Sequence, residues 1–168
     1  MKIYLLRHAI AEARDPKRYP DDGERPLTRD GRLRMRVAAR GMKALGIELD
    51  YLLTSPLTRA RQTAAIVARE MRPGPRPKVL GALTHGGRTQ EILAGIPKVA
   101  DSGAVMLVGH EPDLSRLAGD LLLPPLQKSG LHLVLRKGGL IRIDFDEAPQ
   151  AGAGRLVMLV PPRILRRM

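Results

Sequence analysis

The sequence predicts an α/β protein, a three-layer α/β/α sandwich on a mixed, mostly parallel sheet. Three observations carry that expectation. Short apolar runs alternate with helix-period segments over the first two-thirds of the chain, the order that winds a parallel sheet between two layers of helices. Three further apolar runs close the chain, two of them separated by Lys137-Gly138-Gly139, and a hairpin there adds antiparallel pairing. The length of 168 residues with 43% hydrophobic content suits a single domain over residues 1–168 and excludes wholesale disorder.

The elements follow in order. Residues 2–6 are a short apolar run ending in charge, a strand, and residues 9–26 are polar and Pro-rich, a loop. Thr28 has the character of an N-cap. The helix after it places Leu33, Val37, Gly41 and Ala44 on one stripe and stops at Gly46. Residues 51–54 form the second strand, and Ser55-Pro56 opens a helix that runs to about Met71. The Pro-rich run from Pro73 is a rigid surface connector. A strand over 78–80, a short helix over 89–94 and a buried strand over 104–108 follow, then a helix over 112–122 with Pro112 near its first turn. Strands over 131–136, 140–145 and 156–160 complete the sheet, and the Arg163, Arg166, Arg167 tail is expected to be solvated and partly frayed. There is no internal repeat and no low-complexity tract.

Composition narrows the function. With no cysteine, disulfides, thiolate zinc sites and a cysteine nucleophile are excluded. The four apolar residues before Arg7 are too few for a signal-peptide core, and no apolar run approaches a membrane span, so a soluble, cytoplasmic protein with no membrane partner is expected. The formal net charge of +12 points to an anionic partner. Tyr4, Tyr19, Tyr51 and Phe145 are the only aromatic residues, too few for a single-strand stacking platform, which disfavours nucleic acid.

In open α/β sheets ligands bind beyond the carboxyl ends of the strands. Three predicted strands end there in reactive side chains: the first in Arg7-His8, the second in Thr54-Ser55 with Arg59 one turn into the next helix, and the strand over 104–108 in Gly109-His110. Guanidinium forks and free helix-start N–H groups match a tetrahedral anion. Taken singly, each residue has a plainer reading. His110 alone is more often a surface histidine, Arg7, Arg59 and Arg61 are ordinary solvated charges, and Ser55-Pro56 is a helix start. His85 in Thr84-His85-Gly86-Gly87 reads first as a turn residue, and His132, alternating with apolar residues, as solvent-facing. The joint placement of Arg7, His8, Arg59 and His110 at successive strand ends outweighs those separate readings.

These residues also carry a resemblance. Leu6-Arg7-His8-Ala9, the stretch from Ser55 through Arg59 to Ala64, and Val108-Gly109-His110-Glu111-Pro112 resemble the histidine phosphatase superfamily, the phosphoglycerate-mutase-like enzymes. The run from Arg25 through Thr28 to Gly31 is similar to that family's Leu-Thr-x-x-Gly helix start. The short chain and the order of the four motifs look most like the SixA-type phosphohistidine phosphatase branch, over about residues 2 to 160. The resemblance implies a phosphoglycerate-mutase-like fold and a metal-independent phosphatase with no cofactor. His8 matches the histidine that becomes phosphorylated, Arg7 and Arg59 the phosphoryl-binding arginines, and His110 the second pocket histidine. Two departures stand out: Ala9 replaces the commoner glycine, and the stretch from Leu83 to Gly87 lacks the acidic proton donor of mutase-like members. His85, with its neighbour Thr84, is the candidate for that donor or for a substrate contact.

Imidazole supports the role independently, since its ordinary pKa of about 6.5 leaves a nucleophile near neutral pH. The expected substrate is a phosphohistidine protein. Alternatives are a phosphatase or mutase of small phosphoesters and, in another class, a basic module binding nucleic acid or another polyanion. That last reading rests on the net charge and on Arg29, Arg32, Arg36, Arg40 and Lys43, which fall on one helical stripe. No feature demands assembly, so a monomer is expected.

Overall fold

The computed structural model describes residues 1–97, 103–124 and 131–168. Six strands form one sheet: β1 (Lys2–Arg7), β2 (Tyr51–Thr54), β3 (Pro77–Val79), β4 (Ala104–Gly109), β5 (Leu140–Asp144) and β6 (Arg155–Val160), in the order β3-β2-β4-β1-β5-β6. The pairs β1–β4, β4–β2 and β2–β3 are parallel, whereas β5 runs antiparallel to both β1 and β6. Helices α1 (Arg29–Ala44), α2 (Thr58–Glu70) and α5 (Pro162–Leu165) share one hydrophobic cluster, while α3 (Thr89–Ala94) and α4 (Asp113–Leu122) contribute to the other. The expected three-layer, mostly parallel α/β architecture is therefore present.

Side-chain alternation divides the core. On β1, Tyr4 and Leu6 join the α1–α2 cluster, and Ile3 and Leu5 join the α4 cluster. Central β4 does the same with Met106 and Val108 against Val105 and Leu107, all fully buried. Each such side chain contributes roughly 1.5–3 kcal/mol on leaving water. Over the second face, α4 buries Leu114, Leu117, Ala118 and Leu121 at helical spacing. Among the described residues no helix is long and apolar enough to cross a membrane.

Three expectations are corrected. Thr28 does cap α1, accepting from Gly31 N at 2.9 Å, but Leu33 and Val37 stay 50% and 43% exposed. The buried face is instead Gly31, Met35, Ala38, Ala39, Gly41 and Met42, whose small residues let α1 approach its neighbours closely. Residues 131–136 are not a strand, and no hairpin forms across Lys137-Gly138-Gly139. Both edges of β5 are already taken, by β1 and β6, so this segment closes the end of β1. Gly138 N donates to Arg7 O at 3.0 Å and Arg7 N to Gly139 O at 3.2 Å. The hairpin that does form joins β5 to β6.

The third correction is the tail. It does not fray: Leu165 is fully buried in the α1 cluster, with Arg163 and Arg167 exposed around it. Gly41 makes room for it, since a Cβ at that position would lie 1.8 Å from the Leu165 carbonyl oxygen. Gly41→Ala is expected to lower the unfolding free energy by about 3 kcal/mol through this overlap. Leu165→Ala should cost on the order of 2–5 kcal/mol through its cavity. Because both act on one contact, urea unfolding of the double mutant should show less than the sum; strict additivity would mean that the tail does not dock on Gly41.

Candidate active site

The register of the parallel strands sets the site. Arg7 lies opposite Gly109 across β1–β4, and Thr54 lies opposite Val108 across β4–β2. The next residues, His8 and His110, therefore leave the sheet at one level, and Ser55 leaves β2 one residue below them. Backbone bonds tie these exits together, with His8 N donating to Gly109 O at 3.0 Å and Ser55 N to Val108 O at 2.9 Å.

His8 is buried, and its Nδ1 lies 2.7 Å from the Ala9 carbonyl oxygen. A carbonyl only accepts, so Nδ1 carries the proton and Nε2 the free lone pair. Burial, then the charges of Arg59, Arg7 and Lys137, push the His8 pKa down to about 3, against the pull of that carbonyl. The ring is thus held neutral, with the lone pair of Nε2 free. Ala9, the departure from the commoner glycine, donates its N–H to Thr63 Oγ1 at 3.1 Å, and Thr63 in turn donates to Arg59 O at 2.7 Å. Through Thr63 the loop that follows His8 is fastened to α2.

His110 faces His8 with ring centres 5.1 Å apart, and its Nε2 lies 2.8 Å from Ser55 Oγ. Leu57 N donates to the same Oγ at 3.3 Å, so the bonding is best satisfied with the Ser55 hydroxyl donating to Nε2 and the His110 proton on Nδ1. Burial, followed by His8, Arg59, His85 and Arg7, pushes the His110 pKa down to about 2. Arg7 Nη1 donates to Leu135 O at 2.9 Å. The Arg59 side chain, only 3% exposed, donates to Asp22 O at 2.8 Å and pairs with its carboxylate at 3.1 Å. Arg7 Nε, Arg59 Nε and His110 Nδ1 are buried without a hydrogen-bond partner. Three buried donors beside a lone pair form a cradle for an oxyanion, because such groups are costly unless satisfied.

The structure brings together Arg7, His8, Arg59 and His110, as the strand ends predict, and adds His85 to them. The His85 ring lies 4.7 Å from that of His110, and its Nε2 is 3.1 Å from Arg59 Nη2. Thr84 enters through its backbone, which closes the turn by bonds to Gly81 and Gly87. His132 is solvent-exposed and stands apart in the 131–136 segment.

Sequence reasoning missed four participants. Asp22 and Ser55 orient Arg59 and His110, and Asp113 accepts from His85 Nδ1 at 3.1 Å. Lys137, which the sequence reading places in a hairpin turn, has its pKa lowered by burial and by Arg7, Arg25 and Arg59, the mark of a cation set close to that cluster. The signal for Ser55 was its position inside a quoted motif, whereas Asp113 stands one residue past the motif that ends at Pro112. Asp22 and Lys137 lie in loops, where nothing in one sequence distinguishes them. Among the described residues no group of three or more His, Asp or Glu side chains is placed to hold a metal ion.

Both depressed histidines bear on stability. They are neutral in the fold, whereas in the unfolded chain they titrate near 6.5. Below that pH the unfolded chain binds more protons, so stability falls as pH drops from about 6.5 toward about 3. Between pH 6.5 and 5 the two sites together should cost about 3 kcal/mol. Urea unfolding at pH 7, 6 and 5 measures this, and His110→Asn should remove about half of the slope. A flat profile would mean that the histidines are not buried neutral.

Comparison with known proteins agrees with this geometry. The family model for the histidine phosphatase superfamily (branch 1) matches residues 3–84. An uncharacterized protein of Picosynechococcus sp. is 37% identical over 93% of this chain and 88% of its own length. Phosphohistidine phosphatase SixA of Escherichia coli is 29% identical over 72% of this chain and 74% of its own. The solved structure of the protein histidine phosphatase SixA complexed with tungstate superposes with a TM-score of 0.79 at 24% identity, covering 98% of this chain and 99% of that one.

Proposed function

The chain belongs to the histidine phosphatase superfamily, and we propose that it is a phosphatase acting through a phosphohistidine formed on His8. The observation that carries this reading is the His8 ring, buried, neutral and held through Nδ1 so that Nε2 is the nucleophile. Nε2 attacks phosphorus, the leaving group departs on the opposite side, and water then displaces phosphate from His8. Arg7, Arg59 and His110 bind the equatorial oxygens throughout. In-line transfer of this kind needs mainly positioning and positive charge, which two guanidinium groups supply without a metal ion.

The substrate we favour is protein phosphohistidine. Its leaving group is an imidazole that departs neutral when its other nitrogen is protonated, so it makes the least demand for an acid. The net charge of +12 suits a phosphoprotein, and Arg29, Arg32, Arg36 and Arg40 on α1 are all exposed to meet one. Small phosphoesters are the second reading, favoured by His85 at the mouth, where a leaving alkoxide needs a proton. His85 and Thr84 are the rim residues placed to meet the leaving group.

Brief reaction with labelled phosphoramidate in EDTA, followed by an alkaline quench, should leave base-stable, acid-labile label on His8. His8→Ala should abolish turnover; label found only elsewhere would sink the mechanism. Arg59→Lys should lower kcat/KM about 100-fold despite keeping the charge, since an ammonium cannot reproduce a fork. For the basic face of α1, kcat/KM for a phosphohistidine protein should fall with salt more steeply than for acetyl phosphate. Arg32→Glu with Arg36→Glu should flatten that difference; equal slopes in both proteins would return these charges to plain solvation.

A further inference from the structure

Four facts surround His85. Its side chain is 51% exposed, at the mouth of a site whose nucleophile is buried. Its Nε2 is 3.1 Å from Arg59 Nη2, and a guanidinium only donates, so Nε2 accepts and Nδ1 carries the proton. That Nδ1–H meets Asp113 Oδ2 at 3.1 Å. Asp113 is itself buried and fixed, with Oδ1 accepting from Gly86 N at 3.2 Å and from Arg116 Nη2 at 2.8 Å.

The Gly86-Gly87 turn adds a backbone bond to this contact. Gly86 has φ of +79°, a conformation that glycine adopts without strain, and it aims its N–H at the same carboxylate that holds the ring beside it. The departure of the sequence from an acidic donor in this stretch thus coincides with a histidine clamped at both nitrogens, one of them to a carboxylate on α4.

We propose that His85 is the catalytic acid–base group of this site and that Asp113 is its positioning residue; this rests on the phosphatase reading above. At rest Arg59 occupies Nε2. When a phosphoryl group arrives its oxygens take the Arg59 N–H, and Nε2 is free to hold a proton. In the first step His8 Nε2 forms a bond to phosphorus and the bond to the leaving atom breaks, its electron pair going to that atom. Nε2, once released by Arg59, takes a proton from solvent, that proton passes to the leaving atom, and His85 becomes neutral again. In the second step a water oxygen bonds to phosphorus and the bond to His8 breaks, its electron pair returning to His8 Nε2. The water proton passes to His85 Nε2. Asp113 holds Nδ1–H in both steps, so the ring presents the same nitrogen each time. The leaving group faces solvent in this arrangement, where the exposed edge of His85 lies.

The test compares p-nitrophenyl, phenyl and methyl phosphate in the wild type, His85→Gln and Asp113→Asn, with thermal unfolding to verify the fold. A nitrophenolate leaves without help, so the rate constant for His8 phosphorylation, the quantity compared across the three esters in single-turnover experiments, should change less than threefold in His85→Gln for this ester. Methyl phosphate should lose 100-fold or more, the scale of general acid catalysis, and phenyl phosphate should fall between. Asp113→Asn should show the same order with a smaller loss and an unchanged KM. The His8 phosphoenzyme formed from p-nitrophenyl phosphate should accumulate in His85→Gln, because water has lost its base. Equal losses on all three esters would reduce His85 to phosphate binding or support, and no loss on any would remove it from the reaction; either result overturns the proposal while label on His8 leaves the phosphatase reading standing. A wild type that neither labels His8 nor turns over any ester sinks both.

Discussion

Parallel pairing of β1 with β4 and of β4 with β2 is the constraint from which the site follows. Arg7, Gly109 and Thr54 end within one row of the sheet, so three chain segments far apart in sequence leave it side by side. The two histidines need no long loop to meet. Each is one residue past a strand whose position is fixed by buried side chains on both faces, and that burial is the energy that holds the imidazoles 5.1 Å apart. Bonds such as Ser55 to His110 then set the ring orientation within a placement that the sheet has already made.

Concentrating cations around such a row has a cost, which the fold offsets locally. A buried guanidinium without a counter-charge is destabilising, and Asp22 meets the Arg59 side chain at 3.1 Å. Asp22 is itself held below its usual pKa, chiefly by Arg25. The cluster is thus one in which Arg59 already has an anionic neighbour, Arg7 keeps its Nε unpaired, and both histidines remain uncharged. Keeping the imidazoles neutral limits the electrostatic strain, and it also gives His8 its lone pair.

Most of the frame was legible in the sequence, and the reasons are specific. The strands at Lys2–Arg7, Tyr51–Thr54 and Ala104–Gly109 are apolar on both faces and end in arginine, threonine or glycine, a pattern with few other readings. The convergence of Arg7, His8, Arg59 and His110 followed from the rule that parallel strands point their ends the same way. What failed was whatever depended on competition between alternatives. Residues 131–136 have strand composition, but β1 and β6 had already taken both edges of β5. Leu33 and Val37 lost the buried side of α1 to Met35, Met42 and a set of small residues that pack closer. Asp113 and Lys137 acquire their neighbours only through tertiary contact, which no local pattern encodes.

The place of β1 in the sheet also bears on how the chain is made. It precedes the other five strands in the chain, yet its neighbours are β4 and β5, and the Met1 amine donates to Phe145 O. Until residue 109 has been added, neither edge of β1 has its partner, and Ile3 to Leu6 have no sheet to join. Long sequence separation makes such pairing slow, because loop closure precedes any gain from contact. The nascent protein must therefore carry the apolar run from Ile3 to Leu6 without its sheet partners until β4 emerges, and a chaperone or the ribosome surface is the natural shelter for it.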